Sequence, residues 1–228
     1  MKLIQTAFRQ FLYFVLIFLS LSCQKQEPVV IAYDSYLEET FPKLLPWLET
    51  QLPEAEWKPV SSAPEMMCQK LKLGFPVDLY LGPPPSYLKR FGIRMYRSTA
   101  VLRDSLVWIS YKDTITETAV FMFPKADLPI HFEAIRYALP DSNAKAFPMT
   151  MKLGLDWVKH GVTNAGVCFR SQALQQNLKV IRTMELSEPP CWLHLTAAGS
   201  KRPIVRKAEK IFSSKKFEEI FGQFGYSF

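Results

Sequence analysis

Short apolar runs alternate along this chain with stretches in which apolar residues recur every three or four positions. Val29-Val30-Ile31-Ala32-Tyr33 reads as a strand buried on both faces. The stretch after it puts Leu37, Phe41, Leu44, Leu45, Leu48 and Leu52 on one helical face, with Pro42 and Pro46 predicting a kink or a break. Further strands are predicted at Val77–Leu81 (closed by Gly82-Pro83-Pro84-Pro85), Leu106–Tyr111, Val120–Phe123, Ala165–Phe169 and Trp192–Leu195. Helical spacing marks Phe132–Leu139, Met151–His160 with Gly161 as its stop, and a carboxy-terminal stretch through Ile204, Ala208, Ile211, Phe212, Phe217, Ile220 and Phe221. Strands alternating with helices predict an α/β architecture with largely parallel sheets. No internal repeat or low-complexity segment interrupts the pattern.

The first 22 residues stand apart from it. Lys2 and Arg9 give a positive start, Phe11–Leu19 carries no charge, and Ser20-Leu21-Ser22-Cys23 follows. The apolar run is shorter than the roughly 20 residues a spanning helix needs. A charged start, a short apolar core and small residues at its end predict a secretory signal peptide over residues 1–22. Small residues followed by Cys23 resemble a lipobox, the bacterial lipoprotein signal, with Ser20 where the usual leucine stands. Cleavage there lets the Cys23 thiol carry a diacylglycerol, which predicts a lipid-anchored exported protein. An ordinary signal peptide cut nearby is the alternative. Residues 23–28 are polar enough to serve as a tether.

Composition narrows the function classes. With 48% apolar and 21% charged residues, the chain is not intrinsically disordered. Four cysteines in 228 residues are too few for a disulfide-stapled mini-protein. Removing the leader leaves 206 residues, enough for one large domain or two small lobes, and lowers the formal charge of +7 by two. The basic residues Lys201, Arg202, Arg206, Lys207, Lys210, Lys215 and Lys216 predict a solvated helix face, with contact to an anionic membrane or a transporter as the alternative. An exported chain is not expected to bind nucleic acid.

The motif search points away from an enzyme. The chain lacks the glycine-rich phosphate loops, the G-x-S-x-G nucleophile elbow, the H-E-x-x-H zinc helix and any C-x-x-C pair. His131, His160 and His194 are widely separated, and neither a metal site nor a cofactor is predicted. Cys168 and Cys191 are compatible with a disulfide in an oxidising compartment, while buried free thiols at Cys68, Cys168 and Cys191 are the competing reading. Ser35-Tyr36-Leu37-Glu38 and Ser62-Ala63-Pro64-Glu65 both fit a capping box. Each serine then either caps its helix or offers a hydroxyl, beside unpaired N–H groups, to an oxyanion.

Four segments carry a family resemblance. They are Gly74-Phe75-Pro76-Val77-Asp78-Leu79-Tyr80-Leu81 with Tyr87-Leu88-Lys89, and Asp104-Ser105-Leu106-Val107-Trp108-Ile109. Leu155-Asp156-Trp157-Val158-Lys159 through Ala165-Gly166-Val167-Cys168-Phe169-Arg170-Ser171 is the third, and Phe217–Phe221 with Phe224-Gly225-Tyr226-Ser227-Phe228 the last. In this order the chain resembles a divergent member of the molybdate-binding family of bacterial extracellular (periplasmic) solute-binding proteins. The resemblance implies a type 2 periplasmic-binding-protein fold, with residues 29–104 plus 193–228 in one lobe and 105–192 in the other. It implies a monomer that clamps a small tetrahedral oxyanion between the lobes and delivers it to an ABC permease. Ser35 matches the family's first ligand serine, and Ser62 stands for the second if the loop shifts past Ala63-Pro64. The third ligand loop falls near His131, the fourth amide near Met151, and the family's tyrosine position on Phe169. A degenerate lipoprotein with a non-transport role, or a different small ligand, is the alternative.

Overall fold

The apolar runs become the inner strands of two sheets in a computed structural model, which describes residues 27–110, 120–124, 145–149, 151–184, 186 and 189–227. The first sheet holds β1 (Val29–Asp34), β2 (Trp57–Ser62), β3 (Leu79–Gly82), β4 (Arg97–Leu102) and β10 (Cys191–Leu195), in the order β2-β1-β3-β10-β4. The second holds β5 (Leu106–Ser110), β6 (Val120–Pro124), β7 (Lys145–Met149), β8 (Ala165–Phe169) and β9 (Lys179–Met184), in the order β7-β6-β8-β5-β9. β1 runs parallel to β2 and β3, and β6 parallel to β7 and β8. One strand in each sheet is reversed: β10 is antiparallel to β3 and β4, and β5 to β8 and β9. The reversed strand is in each case the one that has just arrived from the other sheet. The chain leaves the first sheet along β4 to enter β5, and returns from β9 into β10.

The strands that the apolar pattern did not predict are β2, β4, β7 and β9, and all of them are sheet edges. An inner strand is buried on both faces and reads as a continuous apolar run; an edge strand does not. β2, for example, is largely polar and exposed until Ser62. Pro59 and Pro148 lie in edge strands, where a missing N–H is tolerated.

The short helices Pro85–Arg90 and Arg170–Gln175 were not predicted, and two of the predicted helical stretches are divided. Ser35–Leu37 is a separate 3-10 turn, and α1 (Phe41–Gln51) starts after it, so the break falls ahead of Pro42 while Pro46 sits inside the helix. The carboxy-terminal pattern is two helices, α6 (Pro203–Ile211) and α7 (Lys215–Gly222), divided where the Ser214 hydroxyl accepts the Phe217 N–H at 3.2 Å. Between them in sequence lie α2 (Pro64–Lys72), α3 (Pro85–Arg90), α4 (Met151–Lys159) and α5 (Arg170–Gln175). Gly161 follows α4 at φ 69°, a left-handed conformation that ends the helix as expected. The predicted helix over Phe132–Leu139 lies outside the described residues. Among the described residues no helix is long and apolar enough to cross a membrane.

Alternate residues of β1 feed two cores. Ile31 and Tyr33 pack with Phe41, Leu44 and Leu48 of α1, Val205 of α6 and Phe217 and Phe221 of α7. Ala32 faces the other way, onto Met67 and Cys68 of α2, Leu88 of α3 and Tyr80 of β3. The second sheet has its own core, from Val107 and Ile109 of β5, Val158 of α4 and Val167 of β8. Cys68, Cys168 and Cys191 are buried and free, so the disulfide reading of Cys168 and Cys191 is not the arrangement observed. Burial raises the thiol pKa of Cys68 to about 11 and that of Cys191 to about 12.

A buried ion pair fixes the entry of β1. Asp78 Oδ2 accepts the Val30 N–H at 2.9 Å and Arg202 Nη1 at 2.5 Å. Arg202 also donates to the carbonyls of Pro28 and Glu27, at 3.1 and 2.5 Å. Asp78→Ala strands both the guanidinium and the Val30 N–H, and should lower stability by about 2–4 kcal/mol in urea unfolding. Lys207→Ala, which breaks an exposed pair with Glu54, should produce no comparable loss.

Candidate ligand site between the sheets

In open α/β sheets a crevice opens at the carboxyl ends of parallel strands where successive connections leave in opposite directions. β1 occupies that position in the first sheet, between β2 and β3. Its last residue, Asp34, lies in register with Ser62, the last residue of β2. Parallel partners in register share a face, so these two side chains stand together at one end of the sheet. Ala32 pairs with Tyr80 one alternation earlier on the same face, which brings Gly82 of β3 beside Asp34. A Cβ on Gly82 would meet Tyr80 Cζ at 2.2 Å. The bare glycine therefore lets the Tyr80 ring lie along the strand toward its carboxyl end. The Tyr80 hydroxyl is buried without a hydrogen-bond partner among the described residues.

Asp34 is the unexpected member. Its residue exposure is 3%, and its carboxylate receives the Ser35 hydroxyl at 3.3 Å and the Tyr36 N–H at 3.4 Å, both on Oδ1, with the Ser35 N–H as a further donor. Among the described residues no cation makes an ion pair with it. Burial raises its pKa to about 7, and the bonds from Tyr36 and Ser35 offset this only in part. Asp34, not Ser35, is thus the N-cap of the 3-10 turn. The second capping box also differs: α2 is capped at Ala63 without a side-chain bond, and Pro64 supplies no N–H to its first turn. Ser62 instead lies within 3.5 Å of Lys70 Nζ.

Tyr36 joins the two halves of the molecule. It packs against the cores of both sheets and meets the Phe169 ring at 4.9 Å between centroids. Its hydroxyl is buried beside the Cys191 thiol without a hydrogen bond of ordinary geometry. Phe169 ends β8 and caps α5 through its backbone, its N–H donating to Gln172 Oε1 at 3.4 Å. The turn after β1 and the end of β8 therefore touch beside Ser35, while Ser62 lies across β1 in register with Asp34. Met151 is the first residue of α4. His131 lies outside the described residues. Sequence reasoning missed Asp34 and Tyr80; the available signals were an acid directly ending an apolar strand and a glycine two positions after a buried tyrosine.

The remaining described histidines have structural partners. His194 Nε2–H donates to the Pro83 carbonyl at 2.8 Å, so its Nδ1 accepts from the Ser98 hydroxyl at 2.8 Å. Burial lowers its pKa to about 4, keeping the ring neutral. His160 Nδ1 bonds the Asp156 carbonyl at 2.8 Å on the surface.

No protein-family model matches this chain, and no curated protein sequence matches it. Its structure is similar to the substrate-binding domain assigned to a molybdenum ABC transporter of Clostridium difficile (TM-score 0.67, 18% identity, 88% of this chain and 98% of that one). It is similar to the tungstate ABC transporter protein of Geobacter sulfurreducens (TM-score 0.67, 10% identity, 87% and 99%). It also resembles a nutrient-binding protein of Burkholderia cenocepacia bound to methionine (TM-score 0.63, 14% identity, 87% and 98%). The shared fold is the periplasmic-binding type that the sequence resemblance implied, and it serves chemically different ligands in these proteins.

Asp34 makes stability depend on pH. Its folded pKa of about 7 lies above the ordinary carboxyl value of 3.8, so the folded state binds this proton more tightly than the unfolded state does. Its contribution is fully present below the unfolded value and is lost as pH rises through about 7. Urea unfolding of Asp34→Asn, which keeps the capping geometry, should show a gain at alkaline pH on the order of 4 kcal/mol at most and a flatter profile between the two values.

Proposed function

We propose that this chain is the lipid-anchored extracellular solute-binding component of an ABC importer, receiving a small oxyanion of the molybdate or tungstate class between two lobes. The observation that carries the reading is the meeting of the β1 turn with the end of β8 across the two sheets, through Tyr36 and Phe169. In this reading Ser35 and Ser62 provide hydroxyls, the starts of α2 and α4 at Met151 provide amides, and His131 and Phe169 line the cleft. The Ser35 hydroxyl, which donates to Asp34, turns to the ligand on binding. Export and attachment rest on the leader and on Cys23, in the cell envelope where such a partner permease works.

A second reading, a lipoprotein that keeps the fold for a non-transport role, is favoured by the Asp34 carboxylate beside Ser35 and by Phe169, which has no hydroxyl to donate. Each lost donor at a desolvated anion is expected to weaken binding by about 1–3 kcal/mol.

Titration calorimetry of the mature chain with molybdate, tungstate, sulfate and phosphate separates the two. The importer reading predicts saturable heat with at least one of them, weakened in Ser35→Ala, and a diacylglyceryl Cys23 peptide by mass spectrometry. No heat from any anion at millimolar concentration, or an unmodified Cys23, would count against it.

A further inference from the structure

We propose that Asp34 makes this site select an oxyanion that carries a proton, so that hydrogen phosphate or a protonated phosphonate is taken ahead of fully ionised sulfate, molybdate or tungstate. The inference rests on the oxyanion part of the reading above and moves the preferred ligand from molybdate and tungstate to an oxyanion that carries a proton.

The geometry carries it. Asp34 Oδ1 and the Ser35 hydroxyl are 3.3 Å apart, so an anion that reaches Ser35 also reaches the carboxylate. A fully ionised anion there faces a buried like charge that, among the described residues, forms no ion pair. Two carboxylate-like groups in such contact cannot both stay ionised unless one brings a proton to share. Hydrogen phosphate supplies that proton: its O–H donates to Asp34 while its charged oxygens face the Ser35 hydroxyl and the first-turn amides of α2. The ligand and the carboxylate are then joined by a hydrogen bond in place of a repulsion.

The groups facing Asp34 leave its charge uncompensated. They are Ser35 and Tyr36 on the following turn, Ser62 of β2, Tyr80 of β3, Cys68 of α2, Tyr87 of α3 and Cys191 of β10. All are neutral near pH 7: burial, with a smaller contribution from the Asp34 charge, raises the pKa of Tyr80, Tyr87, Cys68 and Cys191. Lys70 reaches Ser62 on this side and also lies over the Phe75 ring, Lys72 lies over Phe91 and Arg90 over Tyr87; none of the three forms an ion pair with Asp34. Burial holds Asp34 near the edge of protonation, at about 7. On acidification the carboxyl itself carries the proton and donates, so the bias against ionised anions fades.

The test is calorimetry of the mature, lipid-anchored chain in detergent micelles with inorganic phosphate and sulfate at about pH 8 and about pH 5.5, and with molybdate at about pH 8. The wild type should prefer phosphate over sulfate and molybdate at least about tenfold at the alkaline pH, with the gap to sulfate narrowing in acid. Asp34→Asn should bind sulfate and phosphate alike at both pH values, and Asp34→Ser provides the same comparison if the asparagine variant folds poorly. Equal wild-type affinity for sulfate and phosphate at about pH 8, or an unchanged preference in the variants, overturns this inference alone. No heat from any anion with any of the proteins overturns the oxyanion reading beneath it.

Discussion

The chain crosses between its two sheets twice, and a single buried carboxylate fixes the first crossing. Asp104 follows β4 directly, and its Oδ2 accepts the Ser171 hydroxyl at 2.5 Å while Oδ1 accepts the Ser105 and Ser171 N–H groups at 2.8 and 3.3 Å. One side chain thereby ties the end of one sheet, the start of the next and the first turn of α5 together. Burial still raises its pKa, to about 6, so these bonds only partly offset the cost of desolvation. The carboxy-terminal tail closes the same region: Arg103 and Ser227 exchange backbone bonds of 2.7 and 3.0 Å, and Gln175 reaches Thr40 and the Phe224 carbonyl. With α5 anchored this way, Phe169 at its start is held against Tyr36, and the strand ends of the two sheets are brought to face each other.

How much of this was legible depended on burial. Runs such as Val29–Tyr33 and Ala165–Phe169 lie between two layers, so nothing polar interrupts them and the sequence announces them. The edge strands have one neighbour and a wet side. Trp57-Lys58-Pro59-Val60-Ser61-Ser62 satisfies neither an apolar run nor a clean alternation, and only its pairing with β1 makes it a strand. The break within the carboxy-terminal pattern was missed for a related reason. Apolar spacing continues across Ser213-Ser214, because both helices bury their faces in the same core.

The candidate site was partly legible. Ser35, Ser62 and Phe169 were singled out by chain position and family resemblance; the residue after Ser35 meets Phe169, and Ser62 lies in register with the residue before Ser35. The capping chemistry assigned to the serines was misread, because an acid one residue earlier takes the N-cap position and accepts the Tyr36 N–H, and because β2 runs through Ser62 before the helix begins. Asp34 itself could not be weighed from sequence. An acid at a strand end is ordinary until its burial and the absence of a neighbouring cation are known. Tyr80 was visible only as part of a predicted strand, and the contact over Gly82 directs its ring to the strand end.

The fold accommodates metal oxyanions and an amino acid in its structural neighbours, so the ligand must be argued from the few polar groups at the strand ends. In the proposed site those groups are two hydroxyls, helix-start amides and one buried acid. The account stands on an anion binding among them. Anomalous diffraction from crystals of the mature chain grown with arsenate, a proton-bearing tetrahedral oxyanion, tests this most directly. The account predicts an arsenic peak between the carboxyl ends of β1 and β8, within hydrogen-bond reach of Ser35 and Asp34. Arsenic bound only elsewhere on the surface, with that space empty of it, would contradict the account.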